Sequence, residues 1–211
     1  TNTKIAPLVT PMQDGGCRSC MRINGTQNVT LADKYQAGLE KFRAAELLSE
    51  TFVVDAVPSP RSLGYRAHAK LAVRAASADN LAKNGKRFAI GLFEPESHKL
   101  VHLDPCPLHR ESINRLQYDL QEELEASALE PYFEELHSGD LRYIAIRAAH
   151  KTEEVMLTFV VLDEKYRVEL KAMVLRLRQK GHIIVSAHMN VHPLQSNAIF
   201  GPLTKKLVGA D

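Results

Sequence analysis

The sequence predicts an α+β fold: a mixed, largely antiparallel sheet with flanking helices, entered through an irregular N-terminal cysteine loop. Three observations predict it. The run 65–76 alternates strictly, one side apolar and the other largely basic, the period of a strand with one buried face. Two stretches, 110–127 and 164–179, instead repeat them at three and four, the period of an amphipathic helix. Between 154 and 191 the order strand, helix, strand permits one parallel crossover within an otherwise antiparallel arrangement.

The elements follow in order. Residues 1–29 carry Pro7, Pro11, Gly15, Gly16 and Gly25 with no sustained apolar period, so this segment reads as irregular. From Leu31, Tyr35, Leu39 and Phe42 recur at helical spacing behind Thr30, a candidate N-cap, and predict a helix over 31–49. Gly64 opens a strand over 65–76 in which Tyr65, Ala67, Ala69, Leu71 and Val73 point one way. Arg66, His68, Lys70, Ala72 and Arg74 point the other. Strands at 87–94 and 98–103, with Pro95 and Glu96 between them, complete a three-stranded meander. Ile113, Leu116, Leu120 and Leu124 mark the helix over 110–127. Strands at 141–149 and 154–162 form a hairpin, and a basic helix over 164–179 ends at Gly181. Strands at 182–191 and 197–200 close the chain. The division predicted is a cysteine segment, 1–29, and one α+β domain, 30–211.

The chain has 211 residues, with 27 Lys and Arg against 25 Asp and Glu, a formal charge of +2. Hydrophobic residues at 45% and charged residues at 25% describe an ordinary folded chain and exclude an intrinsically disordered one. The longest apolar run, 155–162, is interrupted by Thr158 and falls far short of the roughly 20 residues of a spanning helix. The first residues lack the basic start and apolar stretch of a secretory signal, so a cytoplasmic protein without membrane association is expected. Three cysteines is an odd count, which argues against a disulfide framework.

Two of those cysteines form Cys17-Arg-Ser-Cys20, a spacing that lets two thiolates close on one soft metal ion. The third, Cys106, stands between Pro105 and Pro107. Zinc and iron–sulfur ligation fit this pattern equally; so does a small buried Cys106 beside an exposed bystander pair. The nine histidines show no HExxH-type spacing. Arg66, His68, Lys70 and Arg74 share one strand face near Lys83, Lys86 and Arg87, a pattern that suits phosphate contact or a plain solvated sheet face. Arg142, Arg147, Arg167, Arg176 and Arg178 are expected to be exposed.

Read in order, GCRSC (16–20), LGYRAHAKLAV (63–73), FAIGLFEPESHKLVHLDPCPLH (88–109), GDLRYIAIR (139–147), MLTFVVL (156–162) and NVHPLQSNAIFG (190–201) resemble the RNA uracil-C5 methyltransferases. The likeness is to their 23S ribosomal RNA branch without an N-terminal TRAM domain. It implies a four-iron four-sulfur cluster at Cys17, Cys20 and Cys106, although the family's fourth cysteine has no counterpart before Cys17. It also implies RNA as partner, with Arg66, Lys70 and Arg74 as phosphate contacts. The family attacks uracil C6 with a cysteine thiolate and methylates C5 from S-adenosylmethionine. No cysteine follows Cys106 and no GxG occurs, so the chain matches the cluster loop and central domain. The cofactor-binding catalytic domain is expected only in the full-length enzyme. The alternative is a stand-alone RNA-binding or iron–sulfur protein without catalysis.

Overall fold

The computed structural model describes residues 31–47, 57, 60–61, 63–78, 81–82, 85–102 and 105–209. The elements are α1 (Leu31–Ala44), β1 (His68–Ala75), β2 (Phe88–Phe93), β3 (Leu100–His102), α2 (Glu111–Glu125), β4 (Leu141–Ala148), β5 (Val155–Val161), α3 (Arg167–Gln179), β6 (Ile184–Val191) and β7 (Leu203–Gly209). The strands form one seven-stranded sheet in the order β3-β2-β1-β4-β5-β6-β7. Among the described strands β5 and β6 alone pair in parallel, with α3 as their crossover. The α+β class, the meander, the hairpin and the parallel step are as the sequence patterns predict.

Both α2 and α3 pack on one face of the sheet. Ile113, Leu116, Leu120 and Leu124 of α2, and Leu170, Met173, Val174 and Leu177 of α3, are buried there. They meet Leu71, Val73, Ile90, Ile144, Ile146, Leu157, Phe159 and Met189 from the strands. Burying a side chain of this size is worth roughly 1.5–3 kcal/mol, so this layer supplies most of the drive to fold. Between the helices, Arg176 Nε donates to Glu123 Oε2 at 2.7 Å, and Lys180 Nζ lies 3.2 Å from both Glu122 and Glu123. Burial works to raise the Glu123 pKa, but hydrogen bonds from Arg176 and Lys180 overcome it and hold the carboxyl below its ordinary value.

Helix ends show how local chemistry sets boundaries. Helix α3 stops where Gly181 takes φ 96°, with His182 N donating to Leu177 O and Gly181 N to Arg178 O. Helix α1 stops the same way at Glu46, φ 56°, with Leu47 N donating to Phe42 O and Glu46 N to Arg43 O. The expected helix over 31–49 therefore ends at Ala44. Thr30 and the segment 1–29, including Cys17 and Cys20, lie outside the described residues.

The expected strand over 197–200 is corrected: those residues form no strand, and the last strand is β7, Leu203–Gly209. The backbone before it is held by side chains. Arg142 Nη1 donates to His192 O and Leu194 O at 3.0 and 2.8 Å, and Nη2 to Ser196 O at 3.3 Å. Asn190 then donates to Gly201 O and accepts from Gly201 N at 3.0 and 2.7 Å. Gly201 is required there, since a Cβ would lie 2.0 Å from Val191 O. Arg142, expected to be exposed, is only 3% exposed because it serves this connection.

Candidate nucleic-acid interface

Among the described residues no helix packs on the second face of the sheet, and pairing register decides what that face presents. Residues directly opposite one another in neighbouring strands point to the same side. Lys70 stands opposite Ala145, Ala145 opposite Thr158, Thr158 opposite His188, and His188 opposite Lys206. A parallel row runs His68, Arg147, Met156, Ser186. A third runs Ala72, Tyr143, Val160, Asn190, Thr204. His68, Lys70, Arg147 and Lys206 are exposed and His188 is half-buried. Among the described residues, no strand position on this face carries a carboxylate. Arg147 and Lys70 also act on His68: burial, then these two cations, push its pKa below 6.5.

The three predicted phosphate contacts fall into different settings. Lys70 is exposed, its Nζ 5.6 Å from the Phe200 ring centroid. Arg66 is exposed ahead of β1, where its N–H donates to Leu108 O and its carbonyl accepts from Arg110 N. Arg74 has a side chain only 12% exposed. Its guanidinium lies 5.2, 4.9 and 5.4 Å from the rings of Phe93, Tyr132 and Tyr143. It donates to Val73 O, Arg142 O and Glu134 Oε2 at 2.9, 3.2 and 3.3 Å. Most of its donor capacity is thus spent inside the protein. Arg87, expected in a basic loop, instead donates to the carbonyls of Leu124, Glu125 and Ser127 at the end of α2. Lys83 lies outside the described residues.

A cleft of about 420 Å³ opens on this face. Lys70, Arg74, Tyr143 and Phe93 line its floor side, Ser97 and His98 the β2–β3 turn, and Ser196, Asn197 and Ile199 the β6–β7 connection. Gly91 also lines it, and here glycine is needed because a Cβ would lie 1.8 Å from Val101 O. Glu134, the carboxylate at the cleft, is engaged by Arg74 and lies 3.0 Å from His98 Nδ1. Arg142 braces the 192–196 wall while stacking 4.7 Å from the Tyr132 ring. Sequence reasoning brought Lys70 and Arg74 into one site but missed Tyr143, His188 and Lys206, and placed Arg142 and Arg147 only as exposed positions. Alternation in 141–149 puts Tyr143 and Arg147 on one side; only the β1–β4 register shows it to be the side of Lys70.

Cys106 is 7% exposed and belongs to the core cluster, with its carbonyl accepting from Asn114 Nδ2 at 3.0 Å and His109 N at 3.1 Å. Among the described residues, no group of three His, Cys, Asp or Glu side chains is placed to hold a metal ion. The described part of the chain therefore does not by itself make a cluster site. Nearby His109 is buried, and burial followed by Arg66 lowers its pKa to about 4.

No family model matches the sequence. An uncharacterized RNA methyltransferase of Geobacter sulfurreducens is 29% identical over 161 residues, 76% of this chain and 31% of that protein. One from Listeria innocua is 33% identical over 128 residues, 61% of this chain and 28% of the relative. One from Gloeobacter violaceus is 29% identical over 164 residues, covering 77% and 34%. The chain thus spans about three tenths of the length of these curated relatives. Among solved structures, the Pyrococcus abyssi tRNA (uracil-54, C5)-methyltransferase in complex with S-adenosyl-L-homocysteine superposes with a TM-score of 0.61 at 24% identity. That match covers 88% of this chain and 39% of the other. No helix among the described residues is long and apolar enough to cross a membrane. In sequence this chain is similar to part of the bacterial RNA methyltransferases, and in fold to part of a uracil-C5 RNA methyltransferase.

Proposed function

We propose that this chain is the RNA-holding portion of an RNA (uracil-C5)-methyltransferase whose substrate is 23S ribosomal RNA. In this reading, residues 30–211 are the RNA-recognition unit and residues 1–29 its cysteine-containing lead-in. A further domain of the full-length enzyme binds S-adenosylmethionine and supplies the nucleophilic cysteine. The observation that carries the RNA role is the second sheet face, where His68, Lys70, Arg147 and His188 stand in adjacent rows and no described strand position carries a carboxylate. Such a surface attracts phosphates and repels little. Arg66, Lys70 and Arg147 make the phosphate contacts; Arg74, enclosed by three aromatic rings, supports the surface from below.

Titrating fragments of 23S ribosomal RNA at several salt concentrations tests this. Binding weakens with salt, and Lys70→Ala or Arg147→Ala each lowers the logarithmic salt slope by about 0.7–0.9, the share of one phosphate contact. Absence of binding at low salt, or slopes that neither substitution changes, overturns the assignment. The purified chain transfers no methyl group from labelled S-adenosylmethionine; turnover by it would refute the division of labour.

A further inference from the structure

We infer that the cleft under the β6–β7 connection receives one unpaired base of a single-stranded RNA whose backbone lies along the cationic rows of the sheet. This inference rests on the RNA reading above. It deepens that reading by assigning a base-binding site to the residues that line the cleft.

Shape comes first. The cleft, at about 420 Å³, falls in the range of roughly 300–1,000 Å³ typical of small-ligand sites. A base locked in an A-form duplex cannot enter such a recess, whereas a splayed one can. Its lining then suits a base. Phe93 and Tyr143 are half-buried on the sheet side, with the Arg74 guanidinium 5.2 and 5.4 Å from their ring centroids. Arg74, its side chain 12% exposed, packs on these rings and fixes them, and the parts of the rings left open to the cleft offer the π-surface on which a base stacks. The β6–β7 connection adds Asn197 to the lining, an exposed carboxamide with two donors and one acceptor to offer a base edge. Ser196 beside it is already committed, its hydroxyl 3.2 Å from His192 Nε2.

Charge supplies the path of the backbone. Lys70 stands at the cleft and begins the row that ends at Lys206, four strand spacings away, or about 19 Å. Phosphates passing along that row leave a base facing the cleft. Glu134, the carboxylate in the lining, is neutralised by Arg74 at 3.3 Å and so does not oppose an RNA strand.

The test uses the whole chain and fluorescence anisotropy. The probes are a mixed-sequence, unstructured single-stranded RNA of roughly ten nucleotides, within the usual site size of single-strand binders, a matched abasic strand, and the corresponding duplex. The base-bearing strand binds about tenfold or more tighter than the abasic strand, as one stacked base implies, and tighter than the duplex. Asn197→Ala and Tyr143→Leu reduce that ratio, while Lys70→Ala weakens both strands alike. Asn197 is exposed, so its replacement keeps the test decisive if the Tyr143 variant unfolds. Equal binding of the two strands, or a ratio that Asn197→Ala leaves unchanged, overturns the base site while the RNA reading stands. If no strand and no ribosomal RNA binds, both fall.

Discussion

One sheet serves two faces with opposite chemistry. Beneath α2 and α3 the strands offer Leu71, Ile90, Ile144, Leu157 and Phe159, and charges occur chiefly as compensated pairs such as Arg176 with Glu123. On the other face the same strands offer Lys70, Arg147, His188 and Lys206, and no described strand position there carries a carboxylate. A period of two residues makes this division possible, since neighbours along a strand point apart. The difference teaches that stability and recognition can be read from alternate positions of the same strands. It also shows where the division fails: Arg74 and Arg142 sit on the recognition side but do structural work.

Arg142 gives the sharpest way to break the comparison. Arg142→Met removes the donor for three carbonyls and is expected to cost on the order of 3 kcal/mol. Urea unfolding measures it, and a loss under about 1 kcal/mol would mean that the 192–196 wall holds itself.

His109 tests the helix-covered side. Its folded-state pKa of about 4 lies below the ordinary 6.5, so the unfolded chain binds a proton first as pH falls. Its contribution to stability is complete above pH 6.5 and is lost on acidification towards pH 4, by on the order of 3 kcal/mol. His109→Gln should show a correspondingly shallower fall in stability across that window; identical pH profiles would contradict the assignment.

Lys70→Ala and Arg147→Ala should separate the faces most cleanly. Each weakens RNA binding at low salt while shifting folding stability by no more than about 0.5 kcal/mol, as is usual for exposed positions. A large stability loss would make these cations structural. The smallest effect belongs to His68, whose pKa is lowered by burial and by Arg147 and Lys70. A bound phosphate opposes that lowering, so RNA binding takes up a proton and tightens a few-fold as pH falls through and below 6.5. In His68→Gln that pH response flattens, which anisotropy titrations at two pH values would detect.

Much of this was legible in local pattern. The spacing of Ile113, Leu116, Leu120 and Leu124 names the buried stripe of α2, and Gly181 announces the end of α3 through its positive φ. Glu46 ends α1 by the same geometry, yet nothing about a glutamate signals it. Ala69, Leu71 and Val73 identify the buried side of β1, so the opposite basic positions were available by inspection. Cys17 and Cys20 lie outside the described residues, and the structure places Cys106 in the core.

By itself, then, the amino-acid order determined element type, the α+β class and which side of β1 is charged, because periods of two and 3.6 residues are local properties of the chain. Tertiary structure alone decided that Arg147, His188 and Lys206 join Lys70 on one face, because cross-strand register depends on pairing between distant segments. It also decided that Arg142 is consumed inside. Its partners lie 50 to 54 residues away, and carbonyls captured by a distant guanidinium leave no mark in their own local sequence.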